Sequence, residues 1–383
     1  MADQLVVAHT GTVLTVGSAH GSTLDLHALC VRDACACHDC RRPSTNERIL
    51  DSTTIPLEIE IVSVHETPEH VVVHTSDGHA VRIDQSWLVE HVRTSERRDE
   101  PAGDAQLWTG TDGGVTVFQR RDLDREPGVF RWLDAVLRRG SAVVRGIDPD
   151  DAGLREVAAI VGEIRATNYG VTWAIEADVD PVSAVDSERH LLVHTDLPYR
   201  DVAPGVQLLL ASVVDVAGGE TTLVDGYGVA ERIRRDDPEA WRLLTRVEFS
   251  YPFIREGIEL VGKAPIIGLH PDGRYHQIRR APDLVGIPHL QAAADAPGLY
   301  AALRTWTAAV DDPDNEIRVA LAPGDLLAFD NHRLLHGRTA FELGARGRRR
   351  LIGCYLDIED VRSRRAVAAA RGPADSHRSV DTS

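Results

Sequence analysis

The stretch Leu191-Leu192-Val193-His194-Thr195-Asp196-Leu197-Pro198-Tyr199 reads as a short strand running into a turn. On a strand, residues i and i+2 point to the same face, so His194 and Asp196 project together. An imidazole and a carboxylate on one face, joined by a second histidine, make a 2-His-1-carboxylate set. That geometry suits a non-haem Fe(II) ion with open positions for oxygen and a cosubstrate. The third ligand must come from a strand distant in sequence, so this stretch calls for a β-rich fold.

The rest of the chain accommodates such a fold. It has 383 residues, 43% of them hydrophobic, enough for one large domain and a smaller one. Lys and Arg number 42 against 59 Asp and Glu, a formal charge of −17. This argues against a nucleic-acid partner or an anionic membrane surface, because both favour a basic face. No apolar run approaches the ~20 residues of a membrane helix. The start, Met1-Ala2-Asp3-Gln4, lacks the cationic and apolar pattern of a secretory signal. Of the five cysteines, Cys35, Cys37 and Cys40 are crowded together, unlike a disulfide framework. These features lead us to expect a cytoplasmic protein.

Residues 1–93 read as a small β module. Its strands are expected at Gln4–Ala8, Thr12–Val16, Leu57–Val64, His70–His74 and Ala80–Ile83. Residues 94–103, charged and containing Pro101, read as a linker. Residues 104–362 mix strands and helices, and 363–383 read as a tail disordered at its end. Strands are expected at Ser141–Gly146, Gly205–Val214, Thr221–Val224, Leu326–Phe329 and Arg349–Ile358. Helices are expected at Asp151–Ile164, Val229–Val247 and Gly298–Val310. The fold class is mainly β with helices: a double-stranded β-helix, or jelly roll, behind a small β-rich metal-binding module.

Two later segments extend the constellation. Phe329-Asp330-Asn331-His332-Arg333-Leu334-Leu335-His336-Gly337-Arg338 offers His336 as third ligand, with His332 competing. The strand from Arg349 places Arg349, Leu351, Gly353, Tyr355 and Asp357 on one face. A guanidinium there suits bidentate binding of a carboxylate. Near the N-terminus, Cys35-Ala36-Cys37-His38-Asp39-Cys40 supplies three thiolates for a closed tetrahedral zinc site. The fourth ligand should come from elsewhere in the module, with His38 as an alternative. Cys30 and Cys354 read as small buried apolar residues.

With these motifs in order, the chain resembles the gamma-butyrobetaine dioxygenase and trimethyllysine dioxygenase group of the taurine-dioxygenase-like superfamily. The resemblance rests on HTDLPY at 194–199, PGVQLLL at 204–210, GGETTLVDG at 218–226, PGDLLAFDNHRLLHGR at 323–338 and RRLIGCYLD at 349–357. It implies a hydroxylase in which His194, Asp196 and His336 hold Fe(II). Arg349, helped by Thr221, would bind the distal carboxylate of 2-oxoglutarate. O2 would be consumed and succinate released, with ascorbate as an optional activator. The resemblance also implies a zinc site of Cys35, Cys37, Cys40 and His79, and a homodimer.

The implied substrate is a small trimethylammonium zwitterion, with gamma-butyrobetaine giving carnitine as the first example. Tyr169 and Trp173, in Tyr169-Gly170-Val171-Thr172-Trp173, would form an aromatic cage with Tyr355. The sequence departs from the family at 181–193, which contains no aromatic residue. Asp186 stands near the expected position and would contribute charge instead. Arg279 and Arg280 occupy a region that is amide-rich in the resembled enzymes. They read either as solvent-facing or as binders of a carboxylate or phosphonate. An amino acid, a trimethylammonium phosphonate or a natural-product intermediate are the alternative substrates. A ligand-sensing jelly roll without catalysis and a metallohydrolase are the rival readings.

Overall fold

The computed structural model describes residues 5–17, 23–96, 101–112, 114–176, 188–255, 257–290, 292–342 and 348–371. The chain divides into two compact units, Met1–Glu100 and Pro101–Ser383.

The first unit contains two three-stranded antiparallel sheets. One is Val6–His9, Val13–Gly17 and Thr23–His27, and the other Ile61–Glu66, His70–Thr75 and Ala80–Asp84. Alternation decides what is buried: in His70–Thr75, Val71 and Val73 turn inward while His70, Val72 and His74 do not. Leu14, Val16, Val31, Val71, Val73, Val81 and Leu88 form the core. The strand Thr23–His27 and the helices Ala28–Asp33 and Gln85–Glu96 were not expected from the sequence. The second helix runs into the expected linker at 94–103, because Leu88 and Val92, one helical turn apart, anchor it in the core.

The second unit is built on two sheets. A six-stranded sheet has the order Thr116–Gln119, Ser141–Arg145, Leu326–Asp330, Val206–Asp215, Arg348–Leu356, Trp173–Glu176. A four-stranded sheet has the order Leu191–His194, Leu334–Arg338, Thr221–Asp225, Glu316–Val319. All pairings are antiparallel except the first in the larger sheet.

The two faces of Val206–Asp215 show why the sheets stack. Leu208 and Leu210 pack outward against Trp132, Leu133, Leu154, Val361 and Ala368, on three covering helices. Those helices are Glu126–Arg139, Asp151–Val161 and Ile358–Arg371. Leu209 and Ala211 turn inward to meet Leu223 and Leu334 of the four-stranded sheet. Each such leucine contributes about 1.5–3 kcal/mol by leaving water. The sheets therefore face each other across an inner core, as a jelly roll requires. The smaller sheet's outer side, with Val193, Val224 and Leu335, is covered by the helices Gly226–Asp236, Pro238–Arg246 and Ala296–Val310.

One expected helix needs correction. The single helix over Val229–Val247 is two helices, broken at Asp237, whose side chain caps Ala240 N ahead of Pro238. The start of the expected tail is helical: the last helix reaches Arg371, and Arg364 and Arg365 pair with Glu126 and Asp134. The hairpin Phe249–Arg255 with Ile258–Ala264 was not foreseen. The end of the expected tail, residues 372–383, lies outside the described residues.

Candidate active site and zinc site

The strand Leu191–His194 pairs with Leu334–Arg338 so that His194 stands opposite His336. Directly opposed residues share a face, so both imidazoles enter the space between the sheets. Asp196 lies in the turn that follows. Its Oδ1 is 3.4 Å from His194 Nε2 and 3.7 Å from His336 Nε2. His194 Nδ1 donates to Leu192 O at 2.9 Å, which leaves Nε2 as the free ligand atom. The three ligand atoms converge, and the donor set fits Fe(II).

The turn carrying Asp196 is held from several sides. Leu197 adopts a left-handed conformation (φ 52°), uncommon for a branched residue. Asn331 accepts from Asp196 N at 2.7 Å and donates to Asp196 O and Pro204 O. Thr195 N donates to Arg280 O, and Arg280 N donates to Thr195 Oγ1. The Tyr355 hydroxyl donates to Asp196 Oδ2 at 2.7 Å.

Electrostatics prepares Asp196 and His336 for a cation, whereas at His194 burial is outweighed by Asp196 and Leu192 O, which raise the imidazole. Burial pushes the Asp196 carboxyl up, but His336, His194 and the Tyr355 hydroxyl outweigh it, so it stays ionised. Burial and the neighbouring His194 hold His336 down at about 3, as a neutral imidazole.

Farther along the barrel, Arg349 is 5% exposed. Burial, with Arg338 nearby, lowers its value to about 10. Among the described residues no carboxylate pairs with it, and its guanidinium donates to Gly219 O. Gly219 has φ +74°, and a Cβ there would sit 3.1 Å from Arg349 Nε, so glycine suits both the turn and the close approach. Arg349 and Thr221 line one cavity of about 370 Å³ together with Leu351 and Glu220.

Aromatic side chains gather beside Asp196. Trp173 lies opposite Gly353 on the neighbouring strand, its ring 5.5 Å from that of Tyr355. A Cβ on residue 353 would lie 2.3 Å from Trp173 Cη2, so this glycine makes room for the indole. Tyr169, 50% exposed, lies 6.2 Å from Phe253, which stacks on Tyr199 at 4.4 Å.

In the first unit, Cys35, Cys37 and Cys40 Sγ lie 3.8, 3.6 and 3.8 Å from His79 Nδ1. Tetrahedral bonds of 2.0–2.3 Å give S···N edges of roughly 3.6 Å, so the four donors fit Zn(II). Buried Arg32 donates to Cys40 Sγ at 3.3 Å and pairs with Asp77. His38 points to solvent beside Asp39 and takes no part.

The sequence profile of the taurine catabolism dioxygenase TauD, TfdA family matches residues 100–355. The chain belongs to that family. A second profile, the gamma-butyrobetaine hydroxylase-like N-terminal domain, matches residues 5–89 of this dioxygenase. It is 30% identical over 355 residues to a gamma-butyrobetaine dioxygenase of Pseudomonas sp. (strain AK-1), covering 92% of each chain. It is 27% identical over 380 residues to a trimethyllysine dioxygenase of Meyerozyma guilliermondii, covering 93% of this chain and 94% of that one. A taurine dioxygenase structure from Burkholderia xenovorans has the same fold, with a TM-score of 0.50 and 16% identity over 66% of this chain and 90% of that one. The dioxygenase is of the Fe(II)/2-oxoglutarate-dependent type.

Several sequence alternatives are now decided. His332 is buried with Nε2 on Ala203 O, away from the triad. Arg279 and Arg280 are neither solvent-facing nor free for an anion. Arg279 donates to Pro198 O and Asp201 O, and Arg280 to Val193 O and Asp311. Both clamp the segment that carries His194 and Asp196. Asp186 lies outside the described residues. Asn331, Tyr199 and Phe253 were missed as contributors. The first two sit inside quoted motifs, but Phe253 has no local signal, because only the hairpin fold brings it to Tyr199.

Proposed function

We propose that His194, Asp196 and His336 hold Fe(II), and that Arg349 and Thr221 hold the distal carboxylate of 2-oxoglutarate. The substrate is a small trimethylammonium zwitterion hydroxylated at an unactivated C–H, with gamma-butyrobetaine giving carnitine as the first case. The carrying observation is that the aromatic wall begins at the triad itself: Tyr355 bonds Asp196, and Trp173 packs 5.5 Å from Tyr355. Aromatic faces attract quaternary ammonium groups, and no desolvated carboxylate is needed to balance the cation.

When bound, the iron and cosubstrate use one O2 to convert 2-oxoglutarate to succinate and CO2 and to place one oxygen atom on the substrate carbon. The chain's residues orient and exclude. Arg349 fixes the distal end of the dicarboxylate in a buried cavity, where a guanidinium–carboxylate pair is little screened. Tyr355, Trp173 and Tyr169 hold the substrate cation and set which carbon faces the triad. The buried apolar lining, including Leu209, Leu223 and Phe329, keeps bulk water from the reacting centre. In the first unit, Zn(II) held by Cys35, Cys37, Cys40 and His79 is structural. A homodimer and activation by ascorbate belong to the same proposal, checked by light scattering and by turnover with and without ascorbate.

The test is a panel of trimethylammonium compounds, amino acids and phosphonates, scored by product mass and by succinate released. A hydroxylated trimethylammonium product with equimolar succinate is expected. Hydroxylation confined to another class removes the cage reading and leaves the iron and cosubstrate reading standing.

A further inference from the structure

Gln207 is the second residue of the strand Val206–Asp215 and is 1% exposed. It stands in register with Phe329 on one side and Tyr355 on the other. Directly opposed residues in antiparallel strands share a face. The Phe329 ring lies 4.7 Å from the His336 ring, and the Tyr355 hydroxyl lies 2.7 Å from Asp196. Gln207 therefore projects toward the triad from the opposite sheet, between two neighbours that both touch triad residues. The inward residues that follow it on the strand, Leu209 and Ala211, are apolar.

The Gln207 Oε1 atom is buried and has no hydrogen-bond partner. An amide oxygen left unpaired in an apolar barrel destabilises the fold, and leucine or methionine would fill the position without that cost. The residue makes sense if a ligand satisfies it. An amide offers two N–H donors and one acceptor, and it can turn over to present either. Arg349 lies six residues from Tyr355 on the adjacent strand and provides for the far end of a dicarboxylate. The end beside the triad has no assigned protein donor.

We propose that the Gln207 side-chain amide holds the keto-acid end of 2-oxoglutarate beside the triad. This rests on the reading of the triad and Arg349 as the iron and cosubstrate site. The amide donates to the 1-carboxylate and orients the keto acid on the metal. Gln207 thereby separates 2-oxoglutarate from dicarboxylates that lack this end.

The experiment compares wild type with Gln207→Leu and Gln207→Glu in the full-length protein, loaded with Fe(II) without O2. The readouts are the visible charge-transfer band of the chelated keto acid and calorimetric affinities for 2-oxoglutarate and for succinate. Gln207→Leu is expected to bind 2-oxoglutarate about tenfold more weakly, the loss of one hydrogen bond to a charged group. Its band should also move. Gln207→Glu should bind more weakly still, by charge repulsion. Succinate, held through Arg349 alone, should bind wild type and Gln207→Leu equally. Unchanged 2-oxoglutarate affinity and band in Gln207→Leu overturn the proposal, as does an equal loss for both dicarboxylates. A wild type that gives no band overturns the underlying site reading instead, and Arg349→Gln with unaltered succinate binding does the same.

Discussion

The two candidate metal clusters differ in how completely their neighbours are satisfied. The cysteine cluster has four donors, which closes a tetrahedron, and Arg32 already sits on Cys40 and Asp77. The triad has three donors, an arginine without a carboxylate partner among the described residues, and an unpaired buried Oε1 on Gln207. A closed, charge-balanced cluster serves the fold. An open one, with polar groups left unspent, serves a ligand that comes and goes. Removing an ion should therefore cost stability in one case and chemistry in the other.

The largest expected effect is at the closed site. Stripping zinc with a strong chelator removes a contribution on the order of 10 kcal/mol to the first unit. Far-UV dichroism should show its β signal lost, with metal analysis giving one zinc per chain beforehand. A first unit that stays folded without metal would make the cysteine cluster incidental. The next effect is at the open site. Asp196→Ala should reduce succinate formation by more than about 100-fold, since even a group behind a ligand costs 10–100-fold. Its melting temperature should stay near that of wild type. A large fall in melting temperature would erase the contrast between the two clusters.

The convergence of His194, Asp196 and His336 was legible because its signals are local: two residues at i and i+2, and the third within a dense motif. The cysteine site was legible for the same reason, except that His79 needed the resemblance, being far from Cys40 in sequence. Strand phase also placed Arg349, Gly353 and Tyr355 on one face, and the pairing of Gly353 with Trp173 agrees with it. Arg279 and Arg280 were misread because charge alone suggests solvent. Their partners are backbone carbonyls of the segment 193–201 and, for Arg280, also Asp311, which no periodicity in residues 270–280 encodes. The unpaired state of Gln207 is likewise a property of the packed barrel, since PGVQLLL reads only as an apolar strand. The break at Asp237-Pro238 carries a capping signal that the expectation of one helix over Val229–Val247 did not use.

A smaller effect tests the charge balance of the closed site. Arg32→Met keeps the volume but leaves Asp77 and the Cys40 sulfur without their cation. Hydrogen bonds to charged groups are worth about 1.5–3 kcal/mol, so a destabilisation of about 2 kcal/mol is expected in urea unfolding of the zinc-loaded protein. Zinc should also leave faster in chelator competition. Turnover at saturating cosubstrate should be unchanged. If Arg32→Met is neutral, Arg32 does not balance the thiolates and the first unit's cluster is closed by the ion alone.

The smallest effect separates two roles that Tyr355 carries at once. Its hydroxyl supports Asp196, and its ring faces Trp173. Tyr355→Phe removes the first role and keeps the second. Iron affinity should fall about tenfold, the low end for loss of a group that supports a ligand. The KM for a trimethylammonium substrate should move little, because the ring remains. Tyr355→Leu removes both roles, so KM should rise as well, by the severalfold that a cation–π contact of about 1 kcal/mol supplies. Anaerobic iron titration and steady-state kinetics on the two variants divide the effects. If Tyr355→Phe raises KM as much as Tyr355→Leu while iron binding is unmoved, the hydroxyl contacts substrate and not the ligand shell. The open site would then keep one more polar group for its ligand, with Asp196 held by Asn331 and the main chain alone.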